Sequence, residues 1–182
     1  MTQVLIAEND ADVRTVIAEV VREAGYTVTE VGTPNAALHA LLASGQPHVV
    51  LLDTHLDGER LAPELPPLDG DVLASVLLLE MAYEGALHRH TFVLLTTDSV
   101  FRLPPALKRL RTKLALPVVS MPFAVEGLLH AVGRAAERLS SQAAAEPEPR
   151  ETARSMSPEG GEQSGPGSAE RAQQGKQGKQ GK

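Results

Sequence analysis

The chain has 182 residues, 42% of them hydrophobic, which is enough for one ordinary domain plus a remainder. It contains no cysteine, which excludes a disulfide framework and thiolate chemistry. Its formal net charge is −6, and because residues 141–182 carry six acids and six bases, the whole excess belongs to residues 1–140; an acidic body argues against generic nucleic-acid binding.

In chain order, residues 3–7 (Gln-Val-Leu-Ile-Ala) form a short apolar run that stops at Glu8-Asn9-Asp10. Apolar residues then recur at helical spacing from Val13 to Ala24, followed by Gly25 as a stop. Tyr26 to Val31 reads as a strand, and Thr33-Pro34 restarts a helix that runs through Leu42, with Thr33 as N-cap and Pro34 in the first turn. His48 to Leu52 is a buried-type strand ending on Asp53. A Gly/Pro-containing segment, Thr54 to Gly70, precedes an apolar helix over Asp71 to His88. Thr91 to Leu95 is a fourth strand ending in Thr96-Thr97-Asp98, Pro105 to Ala115 a short basic helix, Pro117 to Ser120 a fifth strand, and Ala124 to Leu139 a last amphipathic helix.

Five continuous apolar strands alternating with five helices predict an α/β domain, a doubly wound parallel five-stranded sheet covered on both faces. In such sheets ligands bind at the carboxyl ends of the strands, and three of the strands here end in polar residues: Glu8-Asn9-Asp10, Asp53 and Thr96-Thr97. After Leu139 the composition changes to Ala/Glu/Pro, then Gly/Ser/Glu, then a triple Gln-Gly-Lys repeat. The expected organisation is a domain over 1–140 and a disordered low-complexity tail over 141–182. The tail lacks aromatics to stack on bases, so nucleic acid is not expected as a partner. The start lacks the basic region of a secretory leader, and no run approaches the roughly 20 apolar residues of a membrane span. A soluble, cytoplasmic protein with no membrane partner is therefore expected.

With these residues in view, the sequence resembles the receiver domains of two-component response regulators, flavodoxin-like modules phosphorylated on aspartate. Val4-Leu5-Ile6-Ala7-Glu8-Asn9-Asp10 is similar to the family's opening strand with its acidic pair. Val49-Val50-Leu51-Leu52-Asp53 resembles the strand that presents the phospho-acceptor, and Leu94-Leu95-Thr96-Thr97 the segment whose hydroxyl contacts the phosphoryl group. Met121-Pro122-Phe123 falls where the family has Lys-Pro-Phe.

The resemblance covers about residues 3–139. It implies Asp53 as phospho-acceptor, Thr96 as the phosphoryl-contact and switch residue, and Mg²⁺ held by Glu8, Asp53, the main-chain carbonyl of His55 and a contribution at Asn9. It also implies a sensor histidine kinase or phosphotransfer protein as donor, a small acyl phosphate as a substitute donor, and a downstream protein target. The expected role is that of a single-domain phosphorelay receiver rather than an enzyme.

Several positions depart from the family pattern. Met121 stands in place of a lysine, and a thioether supplies neither charge nor a strong hydrogen bond. Lys113 is one alternative source of that charge. Asn9 replaces an acid, which lowers the expected Mg²⁺ affinity; Asp10 either compensates for that charge or serves as the N-cap of the first helix. Leu68-Asp69-Gly70 ends 17 residues after Asp53, an insertion of about nine residues relative to the family; Leu56-Asp57-Gly58 is a rival alignment. Val118 occupies the position of the family's switch aromatic. These departures keep a second reading open: a pseudo-receiver, the same fold used as a phosphorylation-independent interaction module.

Other chemistries lack their motifs. There is no G-x-x-x-x-G-K-[ST], no G-x-G-x-x-G and no G-x-S-x-G. His88 and His90 are read as surface side chains rather than metal ligands, and Met81 and Met121 as packing residues.

Overall fold

The computed structural model describes residues 1–56, 73–99 and 102–145. Five strands alternate with five helices: β1 (Gln3–Ala7), α1 (Ala11–Glu23), β2 (Thr27–Val31), α2 (Pro34–Ala43), β3 (His48–Asp53), α3 (Leu73–Glu84), β4 (Thr91–Thr96), α4 (Pro105–Lys113), β5 (Val118–Ser120) and α5 (Val125–Ala145). The strands form one sheet in the order β2-β1-β3-β4-β5, every neighbouring pair parallel. That is the flavodoxin-like order, with its topological switch point between β1 and β3.

Alternation along each strand divides the core in two, because successive side chains point to opposite faces of a sheet. Leu5, Val50, Leu52 and Leu94 face α2, α3 and α4, where they meet Leu41, Leu78 and Leu107. Val4, Ile6, Leu51 and Val93 face α1 and α5, where they meet Ile17, Val21 and Val132. Every residue of β3 and β4 is buried, whereas the edge strand β2 is half-exposed. The centre of the sheet is thus buried up to the ends of β3 and β4, which is where Asp53 and Thr96 stand.

The local signals explain the helix boundaries. Asp10 caps α1, its carboxylate accepting from the N–H groups of Asp12 and Val13 at 2.9 and 3.1 Å. Gly25, just past the end of α1, adopts φ +90, a conformation that favours glycine. Thr33 caps α2 by accepting from the Ala36 N–H at 3.2 Å.

Two helix ends differ most from expectation. Helix α3 ends at Glu84, short of His88, because the chain leaves the helix at Gly85 with φ +129. Helix α5 runs on to Ala145, past the domain end expected at 140, since Ser140, Ser141 and the alanines after them are compatible with helix. The remainder of the expected tail and residues 57–70 of the expected insertion lie outside the described residues.

His90 corrects another expectation. It is only 4% exposed, and its Nδ1 accepts from the main-chain N–H of His48, itself buried, at 3.1 Å. The two rings lie 5.5 Å apart between centroids at the start of β3 and β4, the end of the sheet opposite Asp53. Burial, followed by repulsion from Arg89 and from His48 whenever that ring is also charged, pushes His90 down to about 4.

Candidate functional site

The ends of β1, β3 and β4 bring Glu8, Asp53 and Thr96 to one edge of the sheet. Glu8 follows β1 and is 3% exposed, held by main-chain contacts on both sides. Its N–H donates to the Val31 carbonyl at 3.1 Å, and its own carbonyl accepts from Arg14 Nη1 at 2.5 Å. Its Oε1 accepts from the Asp10 N–H at 3.0 Å, whereas Oε2 is buried with no hydrogen-bond partner. Burial raises the Glu8 carboxyl above its usual range; the Asp10 N–H opposes that rise, and the negative charge of Asp53 adds to it.

Asp53 closes β3 and is 5% exposed. Its Oδ1 accepts from the His55 N–H at 3.2 Å, and its main-chain carbonyl accepts from the buried Ser75 hydroxyl of α3 at 2.6 Å. The neighbouring Asn9 amide is oriented by these carboxylates. With its amino group turned toward them, it donates to Asp53 Oδ2 at 3.2 Å and to Glu8 Oε1 at 3.1 Å. A neutral donor therefore bridges the two acids at the position where the family has a third.

Thr96 ends β4 and is fully buried, its Oγ1 accepting from the Asp98 N–H at 3.0 Å. Its carbonyl accepts from the Met121 N–H at 2.7 Å, which ties the end of β4 to the segment after β5. The Met121–Pro122 peptide bond is cis. The Met121 side chain is half-buried and, with Phe123, packs against the core on the α1 and α5 face. Lys113 does not stand in for the missing lysine: its Nζ lies 4.3 Å over the Tyr83 ring, as a cation on an aromatic face.

A cleft of about 810 Å³ opens at this edge, and Glu8, Asp53, His55 and Met121 line it. Thr96 and Asn9 are not among its lining residues. Two contacts around the site escape a reading of the sequence. His55 Nε2 lies 3.4 Å from Asp98 Oδ2 while its Nδ1 meets Thr54 Oγ1 at 3.1 Å, so the imidazole bridges the loops after β3 and β4. The Ser75 contact with the Asp53 carbonyl is the other, and no local signal marks a helical serine for it.

The donor set suits a hard divalent cation. Among the described residues no group of three His, Cys, Asp or Glu converges to hold a metal. Mg²⁺, however, is typically bound through one or two carboxylates and keeps several waters. Glu8 and Asp53 supply two carboxylates, and the orphaned Glu8 Oε2 is a buried acceptor that such a cation would satisfy.

No protein-family model matches the sequence, and no curated protein does either. Solved structures do. The signal receiver domain of an HD domain-containing protein from Pseudomonas fluorescens Pf-5 is 19% identical with a TM-score of 0.59, over 77% of this chain and 98% of that one. The chemotaxis response regulator CheY4 of Vibrio cholerae is 18% identical with a TM-score of 0.54, over 74% and 98%. NtrX from Brucella abortus is 21% identical with a TM-score of 0.61, over 79% of this chain but 29% of that one. Sheet order, covered faces and these superpositions together give the chain the fold of a response-regulator receiver domain.

Proposed function

We propose that the chain is a phospho-acceptor receiver in phosphorelay signalling, with Asp53 as the acceptor. The observation that carries this reading is the placement of Asp53 at the end of a fully buried central strand, beside Glu8, whose Oε2 is buried without a partner. The Asp53 carboxylate attacks the phosphorus of a phosphohistidine or acyl-phosphate donor, and the leaving group departs with the bonding pair. Mg²⁺, held by Glu8, Asp53, the His55 main-chain carbonyl and through water at Asn9, would neutralise phosphoryl oxygens.

The chain's own residues then carry the signal. The Thr96 hydroxyl accepts from Asp98 and keeps its proton to donate to a phosphoryl oxygen. Any shift of Thr96 is passed to the segment after β5 through the Thr96 carbonyl and Met121 N–H. A donor kinase or phosphotransfer protein and a downstream protein target are the partners this reading requires. This reading places the chain in the cytoplasm; among the described residues no helix is long and apolar enough to cross a membrane.

A pseudo-receiver is the second reading. It is favoured by Met121, which packs as an apolar residue, and by Asn9, which already donates to both carboxylates. The two separate on incubation of the full chain with acetyl phosphate and Mg²⁺, read by intact mass beside Asp53→Asn. A labile gain of one phosphoryl group in the wild type alone supports the acceptor. No gain, with acetyl phosphate or candidate kinases, supports the constitutive interaction module.

A further inference from the structure

The cleft at the carboxyl edge of the sheet has two chemically distinct ends. At one end stand Glu8, Asp10, Asp12, Asp53 and Asp98, and its described lining contains no lysine or arginine. Its wall then continues as an apolar strip. Val13, Val16 and Val20 recur on one face of α1, spanning roughly 10 Å at the helical rise, with Met121, Phe123 and Val125 across from them. Val16 is 53% exposed and Val125 49%, both large apolar side chains left to water. At the acidic end Glu8 Oε2 is buried and unpartnered. A volume of about 810 Å³ falls within the range of small-ligand sites, roughly 300–1,000 Å³.

A negative head region with an unmet buried acceptor, joined to an exposed apolar trough, is complementary to a cation on an apolar stem. We propose that this cleft binds a small amphiphilic amine, its ammonium against Glu8 and Asp53 and its aliphatic body along Val13, Val16 and Met121. Met121 is the residue that makes this possible. A lysine there would place its own ammonium near the acids and occupy the head region from within the chain, whereas the thioether extends the apolar wall toward the carboxylates. The inference shares Glu8 and Asp53 with the proposed Mg²⁺ site but does not rest on phosphorylation of Asp53. Amine and Mg²⁺ compete for the same oxygen.

The test is a titration of the full-length protein with n-octylammonium, followed by calorimetry and by backbone amide shifts. Shifts are expected at Glu8, Val13, Val16 and Phe123. Affinity should fall about fourfold for each methylene removed from the chain, and n-octanol should bind at least about tenfold more weakly, since it brings no charge to a desolvated carboxylate. Met121→Lys and Glu8→Gln should each abolish the binding, with circular dichroism checking that they fold. Val16→Ser, on an exposed site where folding is not at stake, should weaken binding severalfold, and Mg²⁺ should displace the amine. Three results overturn the proposal: octanol binding as well as the amine, affinity indifferent to chain length, or shifts away from the cleft. Binding of a lysine-bearing apolar peptide without binding of the amine also overturns it, in favour of a protein occupant. Acetyl-phosphate labelling of Asp53 is measured separately, so failure of either idea leaves the other standing.

Discussion

The buried hydroxyl of Ser75 donates to the main-chain carbonyl of Asp53 at 2.6 Å, so helix α3 holds the last residue of β3 from behind. Removing the hydroxyl takes one donor away from a buried carbonyl and leaves the acceptor residue less firmly placed. Ser75→Ala should lower unfolding stability by about 1–2 kcal/mol. The check is urea denaturation, where the midpoint should drop with little change in slope. A midpoint equal to wild type would show that the carbonyl finds another donor.

Glu8 sets a pH dependence whose sign follows from its raised carboxyl. The folded state holds the proton more tightly than the unfolded chain, so the stabilising contribution is present below the ordinary value of 4.5 and is lost as pH rises through the raised folded value. Glu8→Gln should therefore be more stable than wild type at neutral pH without divalent cations, and the advantage should vanish in acid. Added Mg²⁺ should raise the melting temperature of the wild type and leave Glu8→Gln unmoved. Equal Mg²⁺ shifts in both would remove Glu8 from the proposed cation site.

The buried His48–His90 pair acts in the opposite direction. His90 is held down at about 4 and His48 is also lowered, so both are neutral in the folded state at neutral pH. Stability attributable to them is complete above the ordinary histidine value of 6.5 and is lost as pH falls toward about 4. The His90 ring resonances should accordingly titrate near 4, with the denaturation midpoint declining across that window. A His90 titration at its ordinary value would mean that water reaches the ring.

Met121→Lys addresses the missing charge. A charge-assisted contact with a phosphoryl oxygen is worth about 1.5–3 kcal/mol, so acetyl-phosphate labelling of Asp53 should accelerate by roughly 10- to 100-fold if that contact forms in the transition state. The labelling rate by intact mass decides it. An unchanged rate would show that position 121 does not limit phosphoryl transfer.

Much of the fold was legible because buried parallel strands are continuous apolar runs, as in Val49-Val50-Leu51-Leu52, and each here is punctuated by a polar residue or a glycine. Glu8, Asp53 and Thr96 were legible as candidates for the same reason: each stands where an apolar strand stops. The remaining contacts were not, because tertiary register creates them. Ser75 meets a carbonyl 22 residues earlier, and His55 meets Asp98 only because β3 and β4 are neighbours. The burial of His90 left a faint trace. It immediately precedes a strand start, as His48 begins one, and the pairing of Val49 with Thr91 sets the two histidines side by side. Composition around His88-Arg89-His90 points to the surface, and packing overrode it.

The length of α5 bears on how the molecule is to be divided. A fragment trimmed at residue 140 ends one position after Leu139, which is buried against the sheet, and removes the Ser141 hydroxyl that returns to the Glu137 carbonyl at 3.0 Å. The last turn would fray, loosening the helix that also packs on β3, β4 and β5. A cut beyond Ala145 keeps that turn, so a shortened protein that fails to label or to bind is informative only when it retains the whole of α5.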